Sequence, residues 1–331
     1  MRIVEGHRIN SEAWADLVKR SQVATWFQTQ EAYAFFDELS FLEAFAYGVE
    51  SEGQLKGLVV GYIQKDGGKL KQFFSRRAII IGGPLLSEDI EEEELKTLLQ
   101  SVKQALVNKV VFIETRNFND YGIWRTAFMN CGFDYNPHLN FHVRTESLEV
   151  AQSGIGKHRW RYIRVSLRDG ANLVDHPNQN QLVEFYSILK HLYHTKVKTP
   201  LFPYEFFTKL IELENAHFFL VDYEGKVIGG SVCVAMPGRA VYEWFVCGNE
   251  NYRKGIRPTS VATWFGLEYA ANNGCPLFDL MGAGKPNEPY GVRDFKAEFG
   301  GKLVEHGRFV YLNKPFLFWI GKLGVKIMKK L

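Results

Sequence analysis

Basic residues are concentrated in residues 156–168, which contain no acid. If this segment is helical, four of them share one face at i, i+4, i+7 and i+11: Lys157, Arg161, Arg164 and Arg168. Trp160, Ile163 and Leu167 then form the opposite, core-facing stripe. A column of like charges repels itself, so one interpretation is an anionic substrate, such as tRNA phosphate or a nucleotide-sugar diphosphate. The alternative is a solvated face, or pairing with acids from elsewhere in the chain.

A second basic segment, residues 252–258, lies between a predicted strand and a predicted helix. Backbone N–H groups at a helix N-terminus, assisted by Arg253 and Arg257, are suited to bind a pyrophosphate. Tyr252, Arg253 and Arg257 are therefore candidate substrate-binding residues. The segment lacks the Arg-x-x-Gly-x-Gly or Ala pattern of a coenzyme A loop, because Arg257 and Pro258 occupy the close-approach positions. This departure weakens a coenzyme A site here.

Asp279 and Glu114 are the candidate catalytic acids. Each lies at the end of a short apolar strand, at 276–280 and 110–113. Strand ends that face a crevice are where α/β sheets place ligand contacts. Either carboxylate could accept a proton or hold an attacking amine. For both, the alternative is capping a loop or pairing with a nearby base.

Composition predicts an ordinary globular protein. The 331 residues are 46% hydrophobic and 15% aromatic, which is enough for a large core, and the length favours two domains. Lys and Arg exceed Asp and Glu by 40 to 37. That excess is too small for a protein dedicated to gripping duplex nucleic acid, so any basic binding surface must be local.

The four cysteines predict neither disulfides nor a metal site, because they form no CxxC pair and show no metal-ligand spacing with histidine. They are Cys131, Cys233, Cys247 and Cys275. The N-terminal residues lack the apolar core of a signal peptide, and no stretch approaches the roughly 18 apolar residues of a membrane span. We therefore expect a cytoplasmic protein.

The order of predicted elements repeats along the chain. Residues 44–63 and 217–236 each read as strand, turn and strand, with Gly53 and Gly225 in the turns. A further strand, a helix and a short buried strand follow each hairpin. This is the order of a GNAT half, so we predict an α/β (α+β) fold of two tandem GNAT-like domains, with mixed sheets flanked by helices. The predicted domains are residues 1–145 and 146–331.

Three segments resemble the Fem family of peptidoglycan-bridge aminoacyltransferases, and the likeness extends over nearly the whole chain. They are residues 25–30, residues 258–284 and residues 291–301. The last contains Phe-Lys-Ala-Glu-Phe-Gly and resembles the Phe-Lys-x-x-Phe-Gly signature of the family. The resemblance implies two GNAT-like domains and transfer of an amino acid from aminoacyl-tRNA to an amine of a peptidoglycan precursor. No heptad segment of the family's helical-hairpin insertion is visible in the sequence.

The resemblance makes Lys296 and Phe295 the first catalytic candidates. Aminolysis of an ester or thioester passes through a tetrahedral oxyanion, which an ammonium beside a cleft between the two halves can stabilise. The family also carries an acid near the position of Glu114. The alternative for Lys296 is a surface position on a helix whose Phe295 and Phe299 face the core. Residues 33–37 carry no base where the family would bind phosphate, which puts a nucleotide-sugar-linked acceptor in doubt.

Three functions are compatible with these residues. The first is aminoacyl transfer from aminoacyl-tRNA to an amine of a peptidoglycan or other cell-envelope precursor. The second is N-acylation of an amino sugar or small amine by acyl-CoA. The third is a non-catalytic duplicated-GNAT binding module. None of them requires a resident cofactor, since the acyl donor enters as a substrate.

The C-terminal residues 316–331 predict an amphipathic, basic helix. Its apolar face comprises Phe316, Ile320, Leu323 and Ile327. Its basic face comprises Lys322, Lys326 and Lys329. Such a helix can rest on the inner (cytoplasmic) membrane surface beside a lipid-linked substrate, or it can dock onto its own domain.

Overall fold

The computed structural model describes residues 1–65 and 76–328, and it describes side chains up to residue 322. The first elements, in chain order, are β1 (Arg2–Glu5), α1 (Ser11–Arg20), α2 (Gln30–Asp37), β2 (Leu42–Ser51), β3 (Gln54–Gln64), β4 (Arg77–Gly82), β5 (Leu85–Leu86), α3 (Glu92–Leu106), β6 (Phe112–Asn117), α4 (Arg125–Asn130) and β7 (Asp134–Asn136). Short 3₁₀ turns occupy Gly6–Arg8, Trp26–Gln28 and Gly122–Trp124.

A second series of elements follows without interruption. It comprises β8 (Leu139–Arg144), α5 (Leu148–Gly154), α6 (Lys157–Arg168), β9 (Ala171–Val174), α7 (Gln179–Leu192), a π-helical turn (Tyr193–Val197), α8 (Tyr204–Leu210), β10 (Ala216–Tyr223), β11 (Lys226–Met236), β12 (Ala240–Gly248), α9 (Pro258–Asn272), β13 (Leu277–Gly282), α10 (Gly291–Ala297) and β14 (Lys302–Glu305). The chain ends with β15 (Arg308–Leu312) and α11 (Pro315–Met328).

These elements form two compact units, residues 1–138 with 305–331 and residues 139–304. The sheet of the first unit has the order β1-β2-β3-β4-β6-β15-β7, with β5 also pairing with β3. The sheet of the second has the order β14-β8-β13-β12-β11-β10-β9. Among the strand pairs whose register the structure describes, each sheet has one parallel pair, β4 with β6 and β12 with β13, and the others are antiparallel. The predicted class of mixed sheets flanked by helices is therefore confirmed.

The two predicted hairpins are present and their turns explain them. Glu52 and Gly53 have φ of 52° and 76°, and Glu224 and Gly225 have φ of 52° and 80°. Two successive residues with positive φ make the two-residue turn whose twist matches antiparallel strands. β2 thus pairs with β3 and β10 pairs with β11.

One long helix covers each sheet after the hairpin. Helix α3 begins with a capping box between Glu91 and Glu94, and its acidic first turn suits the positive end of the helix dipole. Helix α9 begins at Pro258, whose fixed φ suits the first helical position. Gly274, with φ of 67°, follows its end. Leu98 of α3 and Trp264 of α9 lie in the separate hydrophobic cores of the two units.

The predicted domain boundary needs two corrections. The strand 139–144, which the sequence assigned to domain 1–145, pairs with β13 in the second sheet. The strand 308–312, which the sequence assigned to domain 146–331, lies between β6 and β7 in the first sheet. The reason is physical: strand pairing over more than a hundred residues leaves no local pattern in the sequence. The C-terminal helix consequently belongs to the first unit.

The predicted amphipathic C-terminal helix forms as α11, although part of its predicted pattern lies outside the described residues. Lys329 and the side chains of Leu323, Lys326 and Ile327 belong to that undescribed part. Within the part of the chain that the structure describes, every helix is too short or too polar to cross a membrane.

Candidate active site

The parallel strands β12 and β13 part from one another within the second unit. They pair over residues 240–242 and 277–279, and both strands continue beyond this stretch. The register of β12 against β11 shifts beside Glu243, which marks a β-bulge. Glu243 is therefore the first residue of β12 beyond the stretch paired with β13.

Glu243 is a buried carboxylate, with 3% of its surface exposed. Its Oε1 accepts a hydrogen bond of 3.1 Å from the Ser231 hydroxyl. Burial raises the pKa of Glu243 to about 7, although the positive charge of Lys296 and the hydroxyls of Thr263 and Ser231 act in the opposite direction. A carboxylate that titrates near neutral pH can act as a general base.

Lys296, the first predicted catalytic residue, is buried in the same region. Its Nζ donates hydrogen bonds to the carbonyl oxygens of Leu280 (2.5 Å) and Gly282 (2.8 Å) in β13. Burial lowers the pKa of Lys296, and the carboxylates of Glu243 and Asp279 act against that shift. An ammonium has three donors, so these two carbonyls leave one N–H for another acceptor.

Asp279 shapes β13, the strand whose carbonyl oxygens accept hydrogen bonds from Lys296. Its Oδ1 accepts a 2.6 Å hydrogen bond from the backbone N–H of Met281, which has a φ of 60°. Asn140 Nδ2 lies 3.3 Å from Oδ2, and His142 Nε2 lies 3.4 Å from the same oxygen. Asp279 is fully buried. These contacts fix the bend of β13 that presents the carbonyls of residues 280 and 282.

Phe295, the second predicted catalytic residue, packs instead of facing open solvent. Its ring is partly buried against the core of the second unit and lies 5.3 Å from the ring of Phe299. The Arg159 guanidinium lies 4.6 Å from the Phe295 ring and also bonds Glu298 (3.1 Å). These contacts anchor α10 and thereby fix the position of Lys296.

Glu114, the remaining predicted acid, belongs to the first unit and has its own partners. Its Oε1 lies 2.7 Å from Arg116 Nε and 3.2 Å from Arg308 Nη1. Burial acts to raise the pKa of Glu114, but Arg116, Arg308 and Arg77 outweigh it and lower that pKa to about 2. Held as a paired carboxylate at neutral pH, Glu114 is poorly suited to accept a proton.

The predicted basic face of residues 157–168 is present on α6. Its four bases are exposed to solvent: Lys157, Arg161, Arg164 and Arg168. On the opposite side, Ile163 is fully buried and the Trp160 ring lies 4.7 Å from that of Trp264. Arg168 Nε bonds Asp169 (2.8 Å). The face therefore offers an exposed column of positive charge whose last member is paired.

The loop 252–257 is also largely exposed, and Glu250, which lies just before it, bonds the start of α9. Tyr252 is 40% exposed, Arg253 is exposed and Arg257 is partly exposed. Pro258 has no N–H, and the backbone N–H of Thr259 donates to Glu250 Oε1 (3.2 Å). The backbone N–H of Arg257 donates to the Ser166 hydroxyl (2.9 Å). Two backbone donors near the start of α9 are thus engaged by protein groups.

Comparison with known proteins extends the fold assignment to the whole chain. Residues 158–296 match the family model described as "Acetyltransferase (GNAT) domain". The structure of FemX superimposes with a TM-score of 0.72 at 16% identity, covering 96% of this chain and 100% of that one. A tandem GNAT protein from the clavulanic acid biosynthesis pathway gives a TM-score of 0.61 at 10% identity, covering 94% and 98%. This chain has the tandem GNAT fold.

A third structure shares this tandem GNAT fold. It is the C-terminal domain of a putative lysylphosphatidylglycerol synthetase from Agrobacterium fabrum, with a TM-score of 0.58 at 12% identity, covering 96% of this chain and 95% of that one. No curated protein matches the sequence significantly. The predicted GNAT-type acyltransferase class is confirmed by the domain match, and the resemblance to Fem proteins is confirmed as a similarity of fold.

Within the tandem GNAT fold, the structure brings together Lys296, Asp279 and a residue that the sequence reasoning missed. That residue is Glu243, and its signal was available, since it is the single charged residue in a nine-residue apolar strand. A buried charge in such a strand needs a partner or a function. Among the described residues, no group of three or more His, Cys, Asp or Glu side chains is arranged to hold a metal ion.

Proposed function

We propose that this protein transfers an amino acid from aminoacyl-tRNA to an amine of a cell-envelope precursor. The observation that carries the proposal is the buried Glu243 and Lys296 pair beside the parting of β12 and β13. Glu243 has a pKa near neutral and can act as a base. Lys296 is a positive charge with one N–H that is not used by the carbonyls of Leu280 and Gly282. A general base and an oxyanion donor both accelerate acyl transfer to an amine.

In the proposed reaction the acceptor nitrogen attacks the ester carbonyl carbon, and a tetrahedral oxyanion forms. The Glu243 carboxylate takes the proton that the nitrogen must lose. The remaining N–H of the Lys296 ammonium donates to the oxyanion, in a site where low exposure strengthens the interaction. The ester C–O bond then breaks, and protonated Glu243 returns the proton to the leaving oxygen. Asp279 and Phe295 position Lys296 through β13 and α10.

Two surface features support RNA as the carrier of the amino acid. The exposed bases of α6 form a column of charge suited to phosphates. At the start of α9, Glu250 accepts a hydrogen bond from the backbone N–H of Thr259 and lies 3.9 Å from Arg257, so two groups that could bind the pyrophosphate of coenzyme A already face a carboxylate. The Fem-like segments, and a similar structure named for lysylphosphatidylglycerol, are compatible with an amino acid as the transferred group.

A transfer assay with labelled donors tests the proposal. Purified protein is supplied with tRNA charged with labelled amino acids and with an extract of cell-envelope precursors. We expect label in the precursor fraction, and we expect ribonuclease treatment of the donor to abolish it. Transfer that survives ribonuclease treatment, or no transfer from any charged tRNA, would contradict aminoacyl-tRNA as the donor.

The second candidate function is N-acylation of an amino sugar or small amine by acyl-CoA. The match of residues 158–296 to an acetyltransferase domain favours it. The same Glu243 and Lys296 would serve, because aminolysis of a thioester passes through the same kind of oxyanion. Thiol release from acetyl-CoA that depends on an amine and is indifferent to ribonuclease would identify this reaction.

A further inference from the structure

The C-terminal helix α11 exposes a cluster of large apolar side chains. Phe316 is 76% exposed, Trp319 is 57% exposed and Ile320 is 40% exposed. Their spacing of three and four residues places them on one side of the helix. An exposed cluster of this kind marks an interaction surface, whereas a single exposed apolar residue needs no explanation.

The opposite side of α11 holds the helix on its own unit. The Phe318 ring contacts the Phe112 ring of β6, with their centroids 5.1 Å apart. Leu317 and Phe318 are partly buried. Docking of the helix onto the first unit, which the sequence left open, therefore accounts for one side only. The cluster of Phe316, Trp319 and Ile320 lies outside that contact.

A basic residue lies beside the exposed cluster, and the sequence around it is basic. Lys322 is exposed, and its Nζ lies 4.8 Å from the centre of the Trp319 ring. Residues 314–331 contain five lysines and no acid, at positions 314, 322, 326, 329 and 330. A second copy of the same helix is a poor partner, because a two-fold interface would bring these like charges together. An anionic surface is complementary to them.

We propose that α11 binds the surface of an anionic phospholipid bilayer. Phe316, Trp319 and Ile320 enter the boundary between headgroups and acyl chains, and the lysines contact lipid phosphates. Tryptophan beside lysine is the combination that membrane interfaces favour. This inference goes beyond the proposed reaction and does not rest on it, since the surface lies in the first unit and the catalytic pair lies in the second.

Vesicle co-sedimentation of the full chain tests the inference. One set of vesicles contains equal parts of phosphatidylglycerol and phosphatidylcholine, and the other contains phosphatidylcholine alone. We expect binding to the first set, much weaker binding to the second, and loss of binding as salt is raised. Trp319 emission should shift to the blue with the anionic vesicles, and a Trp319→Phe variant should lose that shift. Absence of binding to anionic vesicles would overturn the inference.

Matched variants distinguish membrane binding by α11 from nonspecific binding by exposed apolar side chains. A Phe316→Ser and Trp319→Ser double variant should lower the partition coefficient at least about tenfold, because two large apolar groups no longer enter the interface. Ile123→Ser is the control, since Ile123 is 85% exposed elsewhere in the first unit. All these side chains are exposed, so the thermal unfolding temperature should hardly change. Equal binding by the double variant would overturn the inference, as would sedimentation showing that the helix joins two copies of the chain.

Discussion

Glu243 and Lys296 illustrate how burial sets the chemistry of a side chain. Each is removed from water, so each is pushed toward its neutral form, and each opposes that shift in the other. The result is a carboxylate with a pKa of about 7, where an exposed glutamate would be a weak base. Glu114 has the opposite environment, because arginines hold it ionised.

Replacing Glu243 tests its role as the base. Glu243→Gln keeps the shape and can keep the contact with Ser231, but it cannot accept a proton. We expect kcat to fall about 100-fold or more, with KM little changed. Glu268→Gln is the matched control, because Glu268 also has a pKa raised by burial and lies on α9. An equal loss of kcat in both variants would count against a specific role for Glu243.

Replacing Lys296 should move the pH profile. The base acts when ionised, so kcat/KM in the native protein should fall as pH drops below about 7. Lys296→Met removes a positive charge that favours ionised Glu243, which raises the pKa of Glu243 and moves the acidic limb to higher pH. Lys296→Arg keeps the charge and should leave the limb near its native position. A limb that does not move in Lys296→Met would show that another group titrates.

The sequence predicted part of this site, and the reasons for the rest are physical. Lys296 was found through the Phe-Lys motif, since nothing in its spacing distinguishes it from a surface lysine. Asp279 was found as a strand-end acid. Glu243 was missed because its importance depends on where β12 and β13 stop pairing, which no local pattern records. The arginine partners of Glu114 lie on β6 and β15, and Arg308 is 194 positions away from it in the chain.

At the scale of elements, α6 and α10 differ in what determines their formation. The segment 156–168 showed a charged face on the condition that it is helical, and the structure has the helix over Lys157–Arg168, because helical periodicity of bases and apolar residues is a local signal. Helix α10 is short, from Gly291 to Ala297, and depends on contacts with its surroundings. It carries Lys296, so those contacts determine where the ammonium lies.

The basic face of α6 predicts a salt-dependent effect on substrate binding. Arg161→Ala with Arg164→Ala removes two exposed charges and should raise the KM for a charged tRNA about tenfold at low salt, with a smaller effect at high salt. Arg168→Ala is the control, because Asp169 already neutralises that charge. Titrations of KM against ionic strength measure both. Identical slopes for the double variant and the native protein would remove α6 from the binding surface.

The turn after α10 predicts a loss of stability. Gly300 has φ of 79°, and an added Cβ would lie 1.8 Å from the carbonyl oxygen of Gly154. Gly300→Ala should lower the free energy of unfolding by about 2 kcal/mol or more, since backbone must move. Gly274→Ala has a similar φ of 67° but open space around its Cβ, so it should cost about 1 kcal/mol. Denaturant titration compares them, and equal losses would rule out the close approach as the cause.

At the scale of the whole molecule, the duplicated architecture followed from repeated hairpin, strand, helix and strand, all of which are local patterns. The order in which the chain contributes strands to the two sheets did not follow from local patterns. The first unit takes its strand β15 from the far end of the sequence, between β6 and β7. The second unit is one continuous segment.

Truncation tests this route. A chain ending at Val304 lacks β15, so β6 and β7 lose their shared partner, and hydrogen exchange should be fast across residues 112–136. Residues 139–304 should stay protected, because their sheet keeps all its strands and loses only the last residue of the edge strand β14. A chain ending at Asn313 keeps β15 and is the control, with protection expected in both units. Slow exchange at 112–136 in the shorter chain would contradict the dependence on β15.

The late position of β15 also sets an order of events on the ribosome. Domains that emerge early usually finish folding early, but here the N-terminal sheet waits for its penultimate element. Residues 139–304 are synthesised before Arg308, so the sheet of the second unit has nearly all of its residues before the sheet of the first unit has β15. Until β15 is made, the edges of β6 and β7 lack their shared partner and are open to pairing with other strands.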